Sequence, residues 1–270
     1  MDERRLTNQP VARATPEWRE QWELFEDNEK FLFEEWIQPA TLEGMRRKDV
    51  LEAGCGGGQH TAVMAQVART VTAIDLNTAD LARHRNKAST NVTLVEGDIA
   101  SMDLNREFDV VVCVGVIHHT DDPDRTFSNL YRHLRPGGVL IIWTYSAEGN
   151  ELVRWVVEPV RKAVLRHLSR RSLVRLSQAM TAMLYAPVYT LYRLRFMSFL
   201  PYYQYFQNFR RLSFGRNVLN VFDKLNAPQT RFTTRAKCAE WFSSERFEPA
   251  SISIRPYKGV SYSLNGVKRK

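Results

Sequence analysis

Between residues 48 and 146, short runs of apolar residues alternate with longer stretches whose apolar positions recur at helical spacing. The pattern predicts strands over 50–53, 71–76, 92–95, 108–117 and 139–145, and helices over 61–68, 78–87 and 123–134. Strands alternating with helices of this length indicate a parallel, doubly wound sheet of the α/β class. Uninterrupted apolar runs such as VVVCVGVI suit strands covered on both faces.

The flanking segments follow other rhythms. Residues 15–37 are acidic and carry Trp18, Trp22, Phe25, Phe31, Phe33 and Trp36. Thr15 before Pro16 reads as an N-cap and first-turn proline, opening one or two short helices whose aromatics pack on the main domain. Residues 151–225 are helical in flavour, basic and crowded with aromatics, and interrupt the α/β pattern. From Phe232 that pattern resumes, with a helix in TTRAKCAEWFSSERF and strands in PASISIRP and GVSYSLNGV that close the sheet. The chain therefore divides into a helical N-terminal cap (1–47), a core (48–146), a helical insertion (147–231) that forms a lid for substrate, and the closing helix and strands (232–270), with no internal repeat.

With 270 residues, 44% hydrophobic and 25% charged, the chain is expected to bury an ordinary core as a soluble globular protein. Cys55, Cys113 and Cys238 form no CxxC pair, which argues against a disulfide framework or structural zinc and fits a reducing compartment. The opening MDERRLTNQP has no apolar stretch of a secretory signal, so a cytoplasmic location is expected. The net charge of +8 is concentrated: residues 151–225 hold thirteen Arg or Lys against three Asp or Glu. Such a segment suits nucleic acid, an anionic membrane surface or an acidic substrate.

Candidate chemistry begins at EAGCGGGQH, where Gly54, Gly56, Gly57 and Gly58 follow the first strand. Glycines there serve a sharp turn or the close approach of another group. In open α/β sheets ligands bind beyond the carboxyl ends of strands. A dinucleotide site wants G-x-G-x-x-G, but Gln59 stands where its last glycine belongs. VLEAGCGGG instead resembles the first motif of class I S-adenosylmethionine-dependent methyltransferases. VTAIDLN, VEGDIA, FDVVVCVGVIHHTDDP and LYRHLRPGGVLII resemble that family's later motifs, in order. The resemblance implies a Rossmann-like fold with a seven-stranded, mostly parallel sheet and S-adenosyl-L-methionine as cofactor. It implies that Gly54, Gly56 and Gly58 lie against the amino-acid end of that ligand. Asp75 would take the ribose hydroxyls and Asp98 the adenine amino group, with Ile99 beside the ring. Leu76 and Val114 would complete the surround. Glu52 would either reach the methionine amino group through water or face solvent.

His118 and His119 are expected to end the fourth strand, where methyl donor and acceptor meet. An imidazole suits a general base for an oxygen acceptor, so His119 is the first candidate catalytic residue and His118 the second. Neighbours on a strand point to opposite faces, so at most one of the two is expected to face the acceptor. The alternative is a backbone hydrogen bond for one and packing beneath the cofactor for the other. His60 reads as a helix-start residue, and Asp121, Asp122 and Asp124 as turn and N-cap acids; no metal site is expected. Residues 176–192 are uncharged but short and polar for a membrane span. The expected activity is methyl transfer to a small-molecule acceptor, apolar or membrane-borne, at oxygen in preference to nitrogen or carbon. RNA methylation, and a non-catalytic module docking on a membrane or partner through residues 151–225, stand as alternatives.

Overall fold

The computed structural model describes residues 16–26 and 29–270, so the expected Thr15 cap lies outside the described residues. Seven strands form one sheet: β1 (Asp49–Ala53), β2 (Thr70–Asp75), β3 (Val92–Glu96), β4 (Phe108–Val114), β5 (Leu134–Tyr145), β6 (Ser253–Tyr257) and β7 (Ser261–Val267). Their order is β3-β2-β1-β4-β5-β7-β6, and only β7 runs antiparallel to its neighbours. The direction of winding reverses between β1 and β4, which places a crevice at their carboxyl ends.

Alternation along the central strands feeds two cores. Val111 and Cys113 of β4 and Leu51 and Ala53 of β1 face one side, against Phe127 and Leu130 of α5 (Pro123–Arg132) and Cys238 and Trp241 of α10 (Arg235–Trp241). Val110, Val112 and Val50 face the other, against Met64 of α3 (Gln59–Ala65), Ala82 of α4 (Ala79–Arg85) and Phe33 and Ile37 of α2 (Lys30–Ile37). Burying a side chain of this size stabilises by about 1.5–3 kcal/mol, so both faces must be covered. At the amino end of β1, Asp49 gathers Arg69, Arg106 and Arg135, and the Arg69 hydrogen bonds hold its carboxyl well below the usual range.

Two strand boundaries differ from the periodicity. β4 stops at Val114, not 117, because Gly115 adopts φ 78°, and Ile117–His119 then forms a single 3-10 turn. β5 begins at Leu134, taking in the Pro-Gly-Gly turn as an irregularity in its pairing with β4. A β-carbon on Gly138 would stand 2.9 Å from the Asp109 carbonyl oxygen, so only glycine lets the two strands close there.

Between β5 and α10 lie a helical segment ending in α6 (Glu158–Ala163), then α7 (Arg170–Tyr189), α8 (Tyr203–Phe209) and α9 (Phe214–Asn226). Leu165, Leu173, Val188, Phe209, Val221, Phe222 and Leu225 give these helices a core of their own. Among the described residues, no helix is long and apolar enough to cross a membrane.

Candidate functional site

A cavity of about 610 Å³ opens at the carboxyl ends of β1, β2 and β4. That volume is ordinary for a small-molecule site. Gly54, Gly56, Asp75, Leu76, Asp98, Ile99, Val114 and His119 all line it. Three expected site residues, Gly58, Glu52 and His118, do not.

Each departure has a physical reason. Gly58 sits at φ 80° before α3, and a β-carbon there would stand 2.9 Å from Ala82 of α4. Its role is to let two helices close on each other. Glu52 is neither on the cavity wall nor facing solvent: it is 3% exposed and accepts a hydrogen bond from Thr61. Burial, with the nearby Asp75 charge, lifts its carboxyl to about 8 against the Thr61 bond. His118 is fully buried in the 3-10 turn, where the Tyr145 amide donates to its Nδ1 at 3.4 Å. Its ring lies 4.2 Å from that of His119 and 4.3 Å from that of Tyr145, so it supports both. The turn also removes the expected alternation of the two histidines across a strand.

The glycines of the first loop are pressed by the protein itself. A β-carbon on Gly54 would meet Val116 at 2.5 Å, and one on Gly56 would meet the Trp22 indole at 2.6 Å. Both residues hold positive φ, which glycine adopts without strain. The Gly56 amide donates to Asp75 Oδ2 at 2.8 Å, fixing that carboxylate at the end of β2. Asp98 Oδ1 accepts from the Ala100 amide at 2.9 Å and Oδ2 from the Ser101 hydroxyl at 3.3 Å. Two acceptor-only groups thus stand along one wall with lone pairs left for hydroxyl or amino donors.

The opposite wall comes from places the sequence did not mark. Helix α1 (Pro16–Leu24) crosses the cavity, bringing Trp18, Gln21 and Trp22. Arg19 holds both Asp80 oxygens at 2.8 Å and the Asn77 carbonyl at 3.0 Å. On the other side the Asn226 amide group donates to the Glu17 carbonyl at 3.0 Å and Arg170 pairs with Glu17 at 3.1 Å. The helix is a strap from core to insertion. Helix α9 adds Arg216, Leu219, Asn220 and Asp223.

His119 is the group best placed for proton transfer. Its Nδ1 lies 2.8 Å from the Gln229 carbonyl oxygen, which can only accept, so Nδ1 carries the hydrogen and Nε2 keeps its lone pair. Burial lowers its basicity, opposed by the Asp223 charge and the Gln229 carbonyl. The imidazole is therefore held neutral. The Tyr145 hydroxyl donates to Asp223 Oδ2 at 2.9 Å, and burial together with that carboxylate raises the phenol well above its usual range. Asp121 and Asp122 both line the cavity; Asp122 caps α5 by accepting from the Arg125 amide at 3.0 Å, and Asp121 accepts from Gln229 at 2.7 Å. His60 begins α3 and stacks on Phe33 with centroids 4.5 Å apart.

Residues 51–142 match the family model of a methyltransferase domain. The chain is 34% identical over 114 residues to a ubiquinone biosynthesis O-methyltransferase of Pseudomonas fluorescens, covering 40% of this chain and 48% of that protein. It is 36% identical over 122 residues to a probable S-adenosylmethionine-dependent methyltransferase of Mycolicibacterium smegmatis, covering 45% and 47%. The matches span less than half the length of these curated relatives. The magnesium protoporphyrin IX methyltransferase of Synechocystis PCC 6803, solved with bound SAH, superposes with a TM-score of 0.51 over 93% of both chains at 13% identity, a likeness of fold. Residues 51–142 therefore carry a methyltransferase domain, and the chain around it shares the fold of this solved methyltransferase.

Proposed function

We propose that this chain transfers a methyl group from S-adenosylmethionine to a small-molecule acceptor, at oxygen in preference to nitrogen. The observation that carries the reading is the meeting, in one cavity, of the Asp75–Asp98 wall with a second wall of His119, Tyr145 and Asp223. The first wall fits a nucleoside: Asp75 at the end of β2 offers lone pairs to vicinal hydroxyls, and Asp98 beside Ile99 offers them to an amino group on a flat ring. Between them, Gly54 and Gly56 let Val116 and Trp22 close on the loop that joins the two walls. When bound, S-adenosylmethionine supplies a methyl group activated by its positively charged sulfur.

The remaining work falls to the chain. Aligning acceptor, methyl and sulfur is the larger part of such a displacement, and the strap helix with α9 closes the cavity on that geometry. His119 receives the acceptor proton at Nε2 while Nδ1–H stays on Gln229. That role favours an oxygen acceptor, whose conjugate base is the stronger nucleophile. The O-methyltransferase relative supports the same preference.

Calorimetric titration with S-adenosylhomocysteine, with NAD as comparison, tests the reading. Binding of the first alone, weakened at least about tenfold by Asp75→Ala, is expected from loss of a charged acceptor. Equal affinity in the variant, or preference for NAD, would overturn it.

A further inference from the structure

The described residues carry fourteen large apolar side chains that remain exposed, and all but Leu24 lie in the insertion. They concentrate in two stretches. Leu152, Trp155, Val156 and Val160 project from the helical segment that runs into and through α6, with Trp155 73% exposed. Leu191, Leu194, Phe196 and Phe199 project from the turns after α7, with Phe196 69% and Phe199 76% exposed. Tyr202, three residues after Phe199, is close enough to the backbone of Leu152 and Val153 to feel it, which brings the two stretches toward each other. Exposed apolar side chains concentrated in this way mark a docking face.

Charge identifies the occupant. Arg193 and Arg195 alternate with the exposed Leu194 and Phe196, and Lys162, Arg166, Arg171 and Arg175 are exposed on the flanking helices. Glu151 is the exposed acid within residues 151–225. Arg193 and Arg195 make no ion pair with the other described residues. A cationic face presenting both aromatic and aliphatic side chains matches an anionic lipid surface, where rings and chains sit at the acyl boundary and arginines among headgroups. Nucleic acid would use the arginines and rings but leave Leu152, Val156, Val160 and Leu194 in water.

We propose that this face of the insertion seats the protein on an anionic membrane surface, in the manner of a peripheral protein. The proposal stands apart from the cofactor reading, because seating requires neither cofactor nor acceptor.

The test is flotation of the full chain with vesicles of phosphatidylcholine alone and with 30% phosphatidylglycerol (about 30%, enough to give a negative surface potential). Binding to the anionic vesicles, weakened by salt and absent on neutral ones, is expected. Phe196→Ser with Phe199→Ser should reduce the partition at least about tenfold. Arg193→Gln with Arg195→Gln should reduce it without altering thermal unfolding. S-adenosylhomocysteine affinity unchanged in both variants would show that the fold persists. Three results would overturn the proposal: no flotation, flotation untouched by either pair of substitutions, or a salt-sensitive shift of single-stranded RNA without flotation. Concentration-dependent self-association abolished by the serine pair, without flotation, would assign the face to a second copy instead.

Discussion

The Tyr145 hydroxyl donates to Asp223 Oδ2 at 2.9 Å, joining the last residue of β5 to the helix that closes the insertion. This bond ties sheet to lid across the cavity. Tyr145→Phe leaves a partly buried carboxylate with one donor fewer, Gln21 at 3.4 Å remaining on its other oxygen. A loss of about 1–2 kcal/mol in urea unfolding is expected, with S-adenosylhomocysteine affinity changed less than about twofold.

Glu52 makes stability depend on pH in a particular direction. Its folded-state value of about 8 lies above the ordinary 4.5. The stabilising contribution is therefore fully present below about 4.5 and lost as pH rises through about 8, a window worth a few kcal/mol. Melting temperature of the ligand-free protein should fall between pH 5 and 9 (roughly the span of the two values), and Glu52→Gln should flatten that fall. An unchanged slope in the variant would place the titration elsewhere.

His119 and His118 should separate cleanly. His119→Gln should lower the turnover of an oxygen acceptor by about 10²–10⁴-fold and leave cofactor affinity intact. Since burial depresses the His119 imidazole, the wild-type rate should hold through neutral pH and fall only on the acid side of the ordinary imidazole range. His118→Ala should instead lower the melting temperature, because it empties a fully buried position under Tyr145.

The loop glycines can be told apart by stability alone. Gly58→Ala forces a β-carbon against Ala82 and should cost about 1–3 kcal/mol. Gly97→Ala meets nothing within 4 Å and should stay within about 0.5 kcal/mol. Gly56→Ala collides with Trp22, so Trp22→Ala in the same chain should restore part of the loss and leave the backbone strain at φ 52°. Urea unfolding of the four variants decides this.

Periodicity and strand-end acids were legible because they are local. The apolar alternation of β1 and β4 reports burial on both faces, and Asp75 ends β2 while Asp98 stands two residues past β3. What escaped depends on contacts distant in the chain. Arg216, Asn220 and Asp223 recur at i, i+4 and i+7, a polar stripe of α9 that faces the cavity and that no motif marks. Trp18 and Trp22 read as packing aromatics; contacts far along the chain, Arg19 with Asp80 and Glu17 with Arg170 and Asn226, hold their helix over the site. Gly58 shows the converse, since a motif glycine next to a ligand loop serves two helices.

The placement of β7 between β5 and β6 has a consequence for synthesis. β5 pairs with β4 on one side, but its other partner begins at Ser261, about 115 residues after Tyr145. At roughly 5–20 residues per second, a nascent chain carries that bare edge for about 6–23 seconds. β6 emerges earlier yet pairs only with β7, so it cannot cover the gap. A ribosome stalled within the insertion would hold a five-stranded sheet with the hydrogen-bonding edge of β5 open, the species most in need of a chaperone.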